Sequence, residues 1–539
     1  MADKSFCLVL MIANLRSSAF ISIAVGWGVL VGAGTSAVAG ETASPTSREL
    51  AAAGLSETNT LQLIRQLQRR IDELEQKVKS LEETKPATEP AKESPARQQV
   101  EQLDQKLQKL EQERQLQEEL AAARAKQAPK ITIGEQGLSV SSANGEFAMQ
   151  VHGLLQVDSR TFLDGPNNQE TDGLILRRVR PIFEGTVFRD FNYKFMPDFA
   201  PNNGPTIQDA WLNYTYSPAL QLKAGKQVVP IGLEMLQPDR DTFFNERALV
   251  TDLVPARDVG FQLHGDAWQK QVTYAAGLFN GTQDGNSSGN LDFANAWAYV
   301  GRLFFEPLRA SSLSLLQGVG LGVAGSYETY SKTNVAGLPS TIGGHLPGYY
   351  TAAQQQFFAY NPDDGAVVVA DGSHWRLSPQ AYYFYGPFGL LGEYGISDQG
   401  VSRGGVAPAD TRHLKNKAWE VTASWVITGE DVAYAGGVVP RQAFRPTEGR
   451  WGALQLVARY NHLTIDQRAF PDFADPDTAA SGAAGWSVGL NWYLNQNIRI
   501  DASYSHTHFD GGGGPGTSAP ATVTRQDEDL VFTRLQLAF

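Results

Sequence analysis

The sequence predicts an all-β transmembrane barrel of about sixteen antiparallel strands, preceded by an α-helical coiled-coil segment. Three observations support this fold class. Apolar and polar side chains alternate with a period of two from Phe147 onward, as in strands with one face in lipid and the other in water. The alternating segments are joined by long and short connections in turn. The chain also ends in an alternating strand with a terminal aromatic residue, Phe539.

Composition narrows the class of protein before any motif is considered. The chain has 539 residues, of which 19% are charged and 42% hydrophobic, and a formal net charge of −12. Nucleic-acid binding is not expected, because it would require a basic footprint. The net charge of the chain does not decide which ions a pore passes. The residues that face the lumen set the electrostatic potential inside the pore. Cys7 is the one cysteine and lies in a segment that we expect to be removed, so no disulfide is predicted.

Residues 1–39 are predicted to be a signal peptide. Lys4 and Arg16 supply positive charge, residues 19–31 are apolar, and Ala37-Val38-Ala39 has the small-x-small pattern of a cleavage site. The alternative is an N-terminal membrane anchor, but the apolar run is shorter than the roughly 20 residues that span a bilayer. Residues 40–60 are interpreted as a linker.

Residues 61–125 are predicted to form a helical stalk with a proline-rich break at 84–96. Apolar residues recur in steps of three and four, as in a coiled coil. These are Ile64, Leu67, Ile71, Leu74, Val78 and Leu81, and then Val100, Leu103, Leu107 and Leu110. Such a stripe cannot bury itself alone, so we expect the stalk to self-associate, in the periplasm. The alternative is a lone amphipathic helix that lies on its own barrel.

Residues 130–539 are assigned to the barrel. In the second alternating segment Val179, Pro181, Phe183 and Val187 are expected to face lipid, and Arg178, Arg180, Glu184 and Thr186 the lumen. Each segment is about ten residues long, which suits a tilted strand across a membrane. The count of segments is even, as closed outer-membrane barrels of this type require.

The connections distinguish this fold from a soluble sandwich or propeller, which could also alternate. Residues 159–173, 200–206, 228–258, 328–373 and 462–484 are long connections. Between them lie the tight turns Arg189-Asp190, Ser217-Pro218, Gln269-Lys270, Tyr385-Gly386-Pro387 and Asn495-Gln496. Long outer loops with tight periplasmic turns are typical of outer-membrane barrels. Residues 429–450 are long where a short turn is due, and we interpret them as a periplasmic flap or plug.

Several strings in this region resemble the phosphate-selective porin O and P family. They include Pro230-Ile231-Gly232-Leu233-Glu234, Arg257-Asp258-Val259-Gly260, Ala276-Gly277-Leu278-Phe279-Asn280-Gly281, Arg376 to Tyr383, Thr428-Gly429-Glu430, Asn491-Trp492-Tyr493-Leu494 and Arg534 to Phe539. Their order along residues 147–539 is more specific than any one of them. The resemblance implies a sixteen-stranded, homotrimeric channel in the bacterial outer membrane that passes small anions, with phosphate or polyphosphate as the solute in some members. It does not cover the stalk or the long loops.

A pore needs a constriction whose charges offset the lost hydration of an ion without trapping it. The best candidate is the connection 228–258, which we expect to fold into the lumen. Guanidinium groups bind phosphate oxygens in pairs and stay charged. We therefore expect the following basic side chains to line the pore and bind anions as a group: Arg178, Arg180, Lys194, Lys223, Arg240, Arg247, Arg257, Arg376 and Arg459.

The alternative interpretation is that these arginines pair with nearby acids and only hold the loop to the wall. The connection 228–258 also carries Glu234, Asp239, Asp241, Glu246, Asp252 and Asp258. The adjacency of Asp239, Arg240 and Asp241 favours charge balance. A weakly anion-preferring pore would reconcile both interpretations.

Two hypotheses of function follow. The first is an outer-membrane porin for passive diffusion of small anions through a water-filled lumen. The second is a structural tether, in which the stalk binds peptidoglycan and the barrel is largely plugged.

An enzyme is not expected, because no serine has the sequence context of a nucleophile. His506, His508 and Asp510 could ligate a metal, but an exposed histidine pair is the simpler interpretation, and we expect no metal or cofactor.

Overall fold

The computed structural model describes residues 65–66, 68–77, 79–80, 83, 95–163, 171–201, 204–288, 297–330, 346–362, 364, 366–404, 410–513 and 524–539. The chain divides into two compact units, Met1–Ala121 and Ala122–Phe539. The expected signal peptide, the linker at 40–60 and most of the proline-rich break lie outside the described residues. Among the helices that the structure describes, none is long and apolar enough to cross a bilayer.

The N-terminal region is helical, as the apolar spacing predicts. Residues 65–66, 68–77 and 79–80 are helical, and helix α1 spans Pro95–Gln127. Proline is compatible with the first turn, where its missing N–H has no partner to lose. Arg124 and Lys126 lie in the last turn, where positive charge interacts favourably with the helix dipole. The pairing of this helix in a coiled coil stays a prediction.

The second unit begins with a hairpin of β1 (Lys130–Gly134) and β2 (Gly137–Ser141). The barrel strands of its first half are β3 (Ala148–Phe162), β4 (Gly173–Val187), β5 (Phe191–Asp198), β6 (Thr206–Ser217), β7 (Leu220–Val228), β8 (Arg257–Ala267), β9 (Val272–Phe279), β10 (Ala298–Phe305) and β11 (Val319–Tyr330). A small hairpin of β12 (Gly348–Tyr350) and β13 (Gln356–Ala359) follows. The remaining barrel strands are β14 (Val368–Tyr385), β15 (Phe388–Arg403), β16 (Asp410–Val426), β17 (Ala453–Thr464), β18 (Gly482–Tyr493), β19 (Ile498–Asp510) and β20 (Glu528–Ala538).

Sixteen of the described strands, β3–β11 and β14–β20, close into an antiparallel barrel. The seam forms between the last strand and the first, with β20 paired to β3 from Leu530↔Phe162 to Ala538↔Leu154. The backbone N–H groups of Phe539 and Gly153 each donate to the carbonyl oxygen of the other. Closure leaves the ring without an unpaired strand edge, because the lipid interior offers no hydrogen-bond partners to backbone groups. The predicted barrel is therefore confirmed.

The two faces of the barrel follow the predicted alternation. On β16, Trp419, Val421 and Trp425 are exposed outward, whereas Glu420 and Thr422 are buried inside. On β3, Leu155 is exposed but Gln156 and Asp158 are fully buried. Apolar side chains thus cover the outside, and the polar side chains meet one another in the lumen.

The hairpin β1–β2 lies within the region assigned to the barrel but outside its ring. Strand β2 pairs with β3 from Leu138↔Val151 to Ser141↔Ala148. It therefore continues the edge of β3 beyond the point where β20 ends. Asn497, in the turn between β18 and β19, donates through its side chain to the carbonyl oxygen of Glu135 at 2.6 Å, which fixes the hairpin to the short-turn end of the barrel.

Described parts of three long connections, the β7–β8 loop, the β12–β13 hairpin and residues 465–481 between β17 and β18, fill one side of the lumen. Loop L3, residues 229–256, lies inside the barrel and includes the short helix α2 (Leu233–Leu236) and a 3-10 turn at Leu249–Leu253. Apolar side chains of this 3-10 turn pack against Tyr349, Phe357 and Phe358 of the β12–β13 hairpin. The same core includes inward apolar residues of β15 to β19: Val401, Leu414, Ala418, Leu463, Ala483 and Phe509. Helix α3 (Ser314–Gln317) lies in the β10–β11 connection, away from this core.

We predict that the ion pair across the barrel seam is a large contributor to stability. Arg534 on β20 donates two hydrogen bonds to Asp158 on β3, at 2.6 and 2.7 Å, and both side chains are 0% exposed. The change Asp158→Ala leaves a buried guanidinium without its nearest carboxylate, which costs about 3–5 kcal/mol. The temperature at which the folded band disappears on a heat-modifiability gel should fall well below that of the wild type.

Glu146→Ala is the matched control for this change. It breaks an ion pair between Glu146 and Arg189 whose side chains are 40% and 70% exposed, and exposed pairs contribute about 0–1 kcal/mol. Equal transition temperatures for the two variants would contradict the prediction.

We also predict that the packing of L3 against the β12–β13 hairpin becomes less stable as pH rises, because it buries the Asp252 carboxyl. The Tyr350 N–H donates to Asp252 of L3 at 2.9 Å. Burial raises the pKa of the Asp252 carboxyl to about 8, opposed by this hydrogen bond and helped by the charge of Asp284. Because the folded-state pKa exceeds the unfolded one, the contact is strongest at low pH and loses stability until the pH passes about 8.

Hydrogen exchange of the Tyr350 amide, corrected for its intrinsic rate, measures this effect between about pH 5 and about pH 9. The wild type should lose protection across that interval. The variant Asp252→Asn, which cannot ionise, should show a flat profile. A flat profile in the wild type would show that Asp252 does not set the strength of this contact.

Candidate functional site

A bulge in β4 turns two consecutive arginines toward the lumen. Gln156 of β3 pairs with Arg178, and the next residue, Val157, pairs with Leu176, so that Arg177 has no partner across the ladder. A bulge of this kind re-aims a side chain that strict alternation would place on the other face. Arg177 donates from Nε and Nη2 to Glu246 of L3, at 2.5 and 3.0 Å.

Inward polar side chains from the opposite wall hold L3 in place. The backbone N–H groups of Leu233 and Glu234 donate to Glu393 of β15, at 2.8 and 3.2 Å. Arg459 of β17 donates to the Glu246 carbonyl oxygen at 2.9 Å, and Asn491 of β18 donates to the Phe243 carbonyl oxygen at 2.9 Å. These bonds satisfy loop backbone groups that would otherwise be buried without partners. L3 is therefore fixed within the lumen, as the sequence predicts.

Four of the predicted arginines converge on one carboxylate of L3, that of Asp239. We call Arg178, Arg180, Arg247 and Arg257 the arginine cluster. Arg180 donates to one carboxylate oxygen, and Arg257 lies 3.6 Å from the same oxygen. Arg247 donates to the other oxygen at 2.6 Å, and Arg178 lies 3.4 Å from it. The cluster therefore joins β4, β8 and the loop itself around a single acid.

Two further acids neutralise part of the cluster. Asp198 accepts from Arg180 at 2.7 Å, and Asp209 accepts from Arg257 at 3.0 Å. Burial alone would raise the pKa of Asp239, but the four surrounding guanidinium groups, first that of Arg178, hold it well below its usual range. The pKa of Glu246 is lowered in the same way, with Arg177 the largest opposing cause after burial. Both loop carboxylates are therefore ionised, which maintains the ion pairs.

The other predicted residues lie apart from the cluster. Lys194 lies 3.2 Å from Glu184 on the inner wall, and the Lys223 ammonium lies 4.8 Å from the centre of the Trp211 ring. The Arg240 side chain is 53% exposed. Arg376 and Arg459 are each about 2% exposed, and they contact acids of the loops, Asp284 and Glu234 respectively.

The cluster borders a cavity of about 630 Å³ at the short-turn end of the lumen. Arg180, Lys194, Arg240 and Arg257 line it together with Glu184, Asp209, Asp239 and Asp241. The lining also includes the β18–β19 turn and the terminal Phe539. In barrels of this class the short turns are periplasmic. The cavity is therefore a charged vestibule on that side, with both signs present.

The connection between β16 and β17, which we call T7 (residues 427–452), enters this vestibule and contacts L3. The Gln237 side chain donates to the Tyr434 carbonyl oxygen at 2.7 Å, and the Tyr434 hydroxyl donates to the Leu233 carbonyl oxygen at 2.5 Å. The Gly436 N–H donates to Asp241 at 2.8 Å. The unusual length of T7 is explained by this insertion into the lumen.

The arrangement of the basic residues does not follow from the sequence pattern. A strict period of two places Arg177 on the outside, whereas the bulge turns it inward. The convergence on Asp239 has no local signal, since three of its four partners lie on β4 and β8 and not in the loop itself. His506 and His508 lie on β19 and contact Asp529 and Asp527, at 2.8 and 2.7 Å. The His508 side chain is 53% exposed and that of His506 is 26% exposed, so the expected exposed pair in a loop is not what the structure has.

Comparison with known proteins agrees with this architecture. Residues 149–539 match the model of the family described as phosphate-selective porin O and P. Porin O of Pseudomonas aeruginosa is 23% identical over 425 residues, covering 75% of this chain and 91% of that protein.

Two similar solved structures are a channel and a porin. The channel DcaP of Acinetobacter baumannii has a TM-score of 0.45 and 11% identity, over 73% of this chain and 97% of that one. An anion-selective porin from Comamonas acidovorans has a TM-score of 0.45 and 10% identity, over 73% of this chain and 100% of that one.

The family model spans most of the chain and covers all of the ring except the first residue of β3. Porins are channels and not enzymes, and the closed barrel with its polar lumen is the structure such a channel needs. The chain is therefore an outer-membrane porin and belongs to the phosphate-selective porin O and P family.

Proposed function

We propose that this porin provides passive diffusion of small anions through a water-filled lumen, with a weak anion preference and with phosphate or polyphosphate among its solutes. The observation that carries the proposal is the convergence of four guanidinium groups beside the vestibule. Guanidinium groups suit phosphate because their paired N–H donors match two of its oxygens and their charge is permanent.

The distribution of side chains across the lumen supports a route along β4 to β8. The apolar core of L3 and the β12–β13 hairpin fills the side next to β15–β19. The basic residues Lys194, Lys223 and Arg257 lie on the inner face of the other side, which remains polar. An ion that enters the vestibule therefore meets Lys194 and then the arginine cluster.

The selectivity should be modest because acids accompany the bases. Glu184 contacts Lys194 at 3.2 Å, and Asp198, Asp209 and Asp239 contact the arginine cluster. Each ion pair reduces the field that a passing anion experiences. Both interpretations of the arginines thus apply, since they hold L3 to the wall and leave a surplus of positive charge beside the vestibule.

The same proposal includes the assembly and its setting. We place the helical stalk in the periplasm and expect homotrimers in the outer-membrane lipid.

The second candidate function is the tether, with the stalk bound to peptidoglycan and the lumen closed. It is favoured by the presence of L3 and T7 in one lumen. Electrical measurements distinguish the two functions.

We predict that the purified protein forms discrete conductance steps in a planar bilayer. In a potassium chloride gradient the reversal potential should be displaced modestly toward the value for a chloride-selective pore. Phosphate added to one side should reduce the chloride current, because both anions use the cluster. A reversal potential on the potassium side would remove the anion proposal, and folded protein without conductance would support the tether.

The basic residues of β4 should contribute directly to this preference. Replacing Arg178 and Arg180 with Ala leaves Asp198 and Asp239 with fewer positive neighbours, so the reversal potential should move toward potassium. Arg189→Ala is the control, because Arg189 is a 70% exposed arginine in the β4–β5 turn. If the double variant matched both the control and the wild type, Arg178 and Arg180 would be structural only.

A further inference from the structure

We propose that Asp239 is a tethered anion: its carboxylate occupies the oxyanion-binding site of the arginine cluster, and a permeating dianion such as hydrogen phosphate must displace it. This inference rests on the proposed anion pathway. It adds that selectivity depends on how well the solute competes with the Asp239 carboxylate for the arginine cluster, and not on the arginines alone.

The contacts of Asp239 are those expected of a bound oxyanion. Its side chain is 6% exposed, and each of its two oxygens faces two guanidinium groups. Arg178 approaches one oxygen at 3.4 Å, and Arg257 the other at 3.6 Å. A carboxylate is matched in geometry by a single bidentate guanidinium. Four guanidinium groups surround this acid, and other donors of the cluster reach Gln156 and the carbonyl oxygens of Glu234 and Gln237.

One donor of the cluster is left over. Within the described residues, the Nε of Arg178 is buried and has no hydrogen-bond partner. A buried donor without a partner costs free energy, and a charged one costs more. A tetrahedral oxyanion has additional oxygens that can accept from such a donor. Arg178 therefore has a donor that Asp239 leaves without a partner and that an anion with more acceptors can satisfy.

The charges of the cluster indicate a dianion. Two of its four positive charges are balanced by Asp198 and Asp209, at 2.7 and 3.0 Å. Two positive charges remain for the group in the centre, and Asp239 supplies one negative charge. Hydrogen phosphate supplies two, whereas chloride supplies one and forms no bidentate hydrogen bonds. Phosphate should therefore compete with Asp239 more strongly than chloride does.

The Asp239 residue borders open space. It lies in a turn between α2 and the aromatic pair Phe243–Phe244, on the lining of the vestibule of about 630 Å³. Among the described residues, its carbonyl oxygen accepts long hydrogen bonds from Gln156 at 3.3 Å and from Thr242 at 3.4 Å. Asp241, by contrast, is fixed to T7 by the Gly436 N–H at 2.8 Å. A rotation of the Asp239 side chain toward the vestibule would release the cluster.

The test compares Asp239→Asn with the wild type in planar bilayers. Asparagine keeps the shape of the side chain but removes its charge, so the cluster is no longer neutralised from within. The phosphate concentration that halves the chloride current should fall about tenfold, which corresponds to about 1.4 kcal/mol. The reversal potential in a potassium chloride gradient should also move further toward chloride.

Two matched variants distinguish an effect of the position of Asp239 from an effect of its negative charge. Asp241→Asn removes the same charge two residues away and should change the half-blocking phosphate concentration by much less. Asp239→Glu keeps the charge on a longer side chain and should stay close to the wild type. An equal response to phosphate in Asp239→Asn and the wild type would overturn the inference, as would equal effects of the two asparagine variants.

The uncompensated cluster of Asp239→Asn could reduce the yield of folded barrel. In that case refolding is measured by heat-modifiable mobility in phosphate and in chloride at equal ionic strength. Phosphate should restore the yield, and equal yields in the two salts would overturn the inference. A wild type that prefers potassium would defeat the proposed function as well, whereas an anion-preferring wild type with an unaltered Asp239→Asn variant defeats only the inference.

Discussion

The structure depends on the requirement that every backbone N–H and C=O in hydrocarbon has a hydrogen-bond partner within the protein. Sixteen strands meet this requirement by joining β20 to β3. Closure also separates the two faces of every strand, so that apolar side chains meet lipid and polar ones meet an enclosed lumen. The lumen is thus a consequence of backbone hydrogen bonding. The charged side chains within it are not needed to close the barrel.

Inside the lumen, two requirements compete. Buried charged side chains need partners that offset their lost hydration, whereas conduction requires that some charge stays available to a passing ion. An isolated buried charge is costly, and pairing repays that cost only when the geometry is good. The chain places acids beside most of the lumen arginines, as with Asp158 and Arg534 or Glu246 and Arg177. Complete balance would abolish selectivity, however. Around Asp239, four guanidinium groups face the carboxylates of Asp198, Asp209 and Asp239, so these ion pairs leave one positive charge over.

The loops give the lumen its asymmetry. L3 and the β12–β13 hairpin form an apolar core against β15–β19, and hydrogen bonds from Glu393 and Asn491 fix the loop backbone there. T7 then contacts L3 from the short-turn end through Tyr434 and Gly436. The cross-section available to an ion is therefore set by connections and not by the diameter of the ring.

The sequence by itself determined the barrel, the number of strands and the alternation of apolar and polar faces along them. These features are local, because a period of two within one strand is enough to specify them. Only the tertiary structure decided which acid each arginine meets: Arg180 and Asp239 are 59 residues apart, and Arg459 and Glu234 are 225 apart. It also decided the inward position of Arg177, since a bulge breaks the period that predicts the faces. Contacts between distant segments depend on how the loops fold into the closed ring, and no local pattern in the chain encodes that.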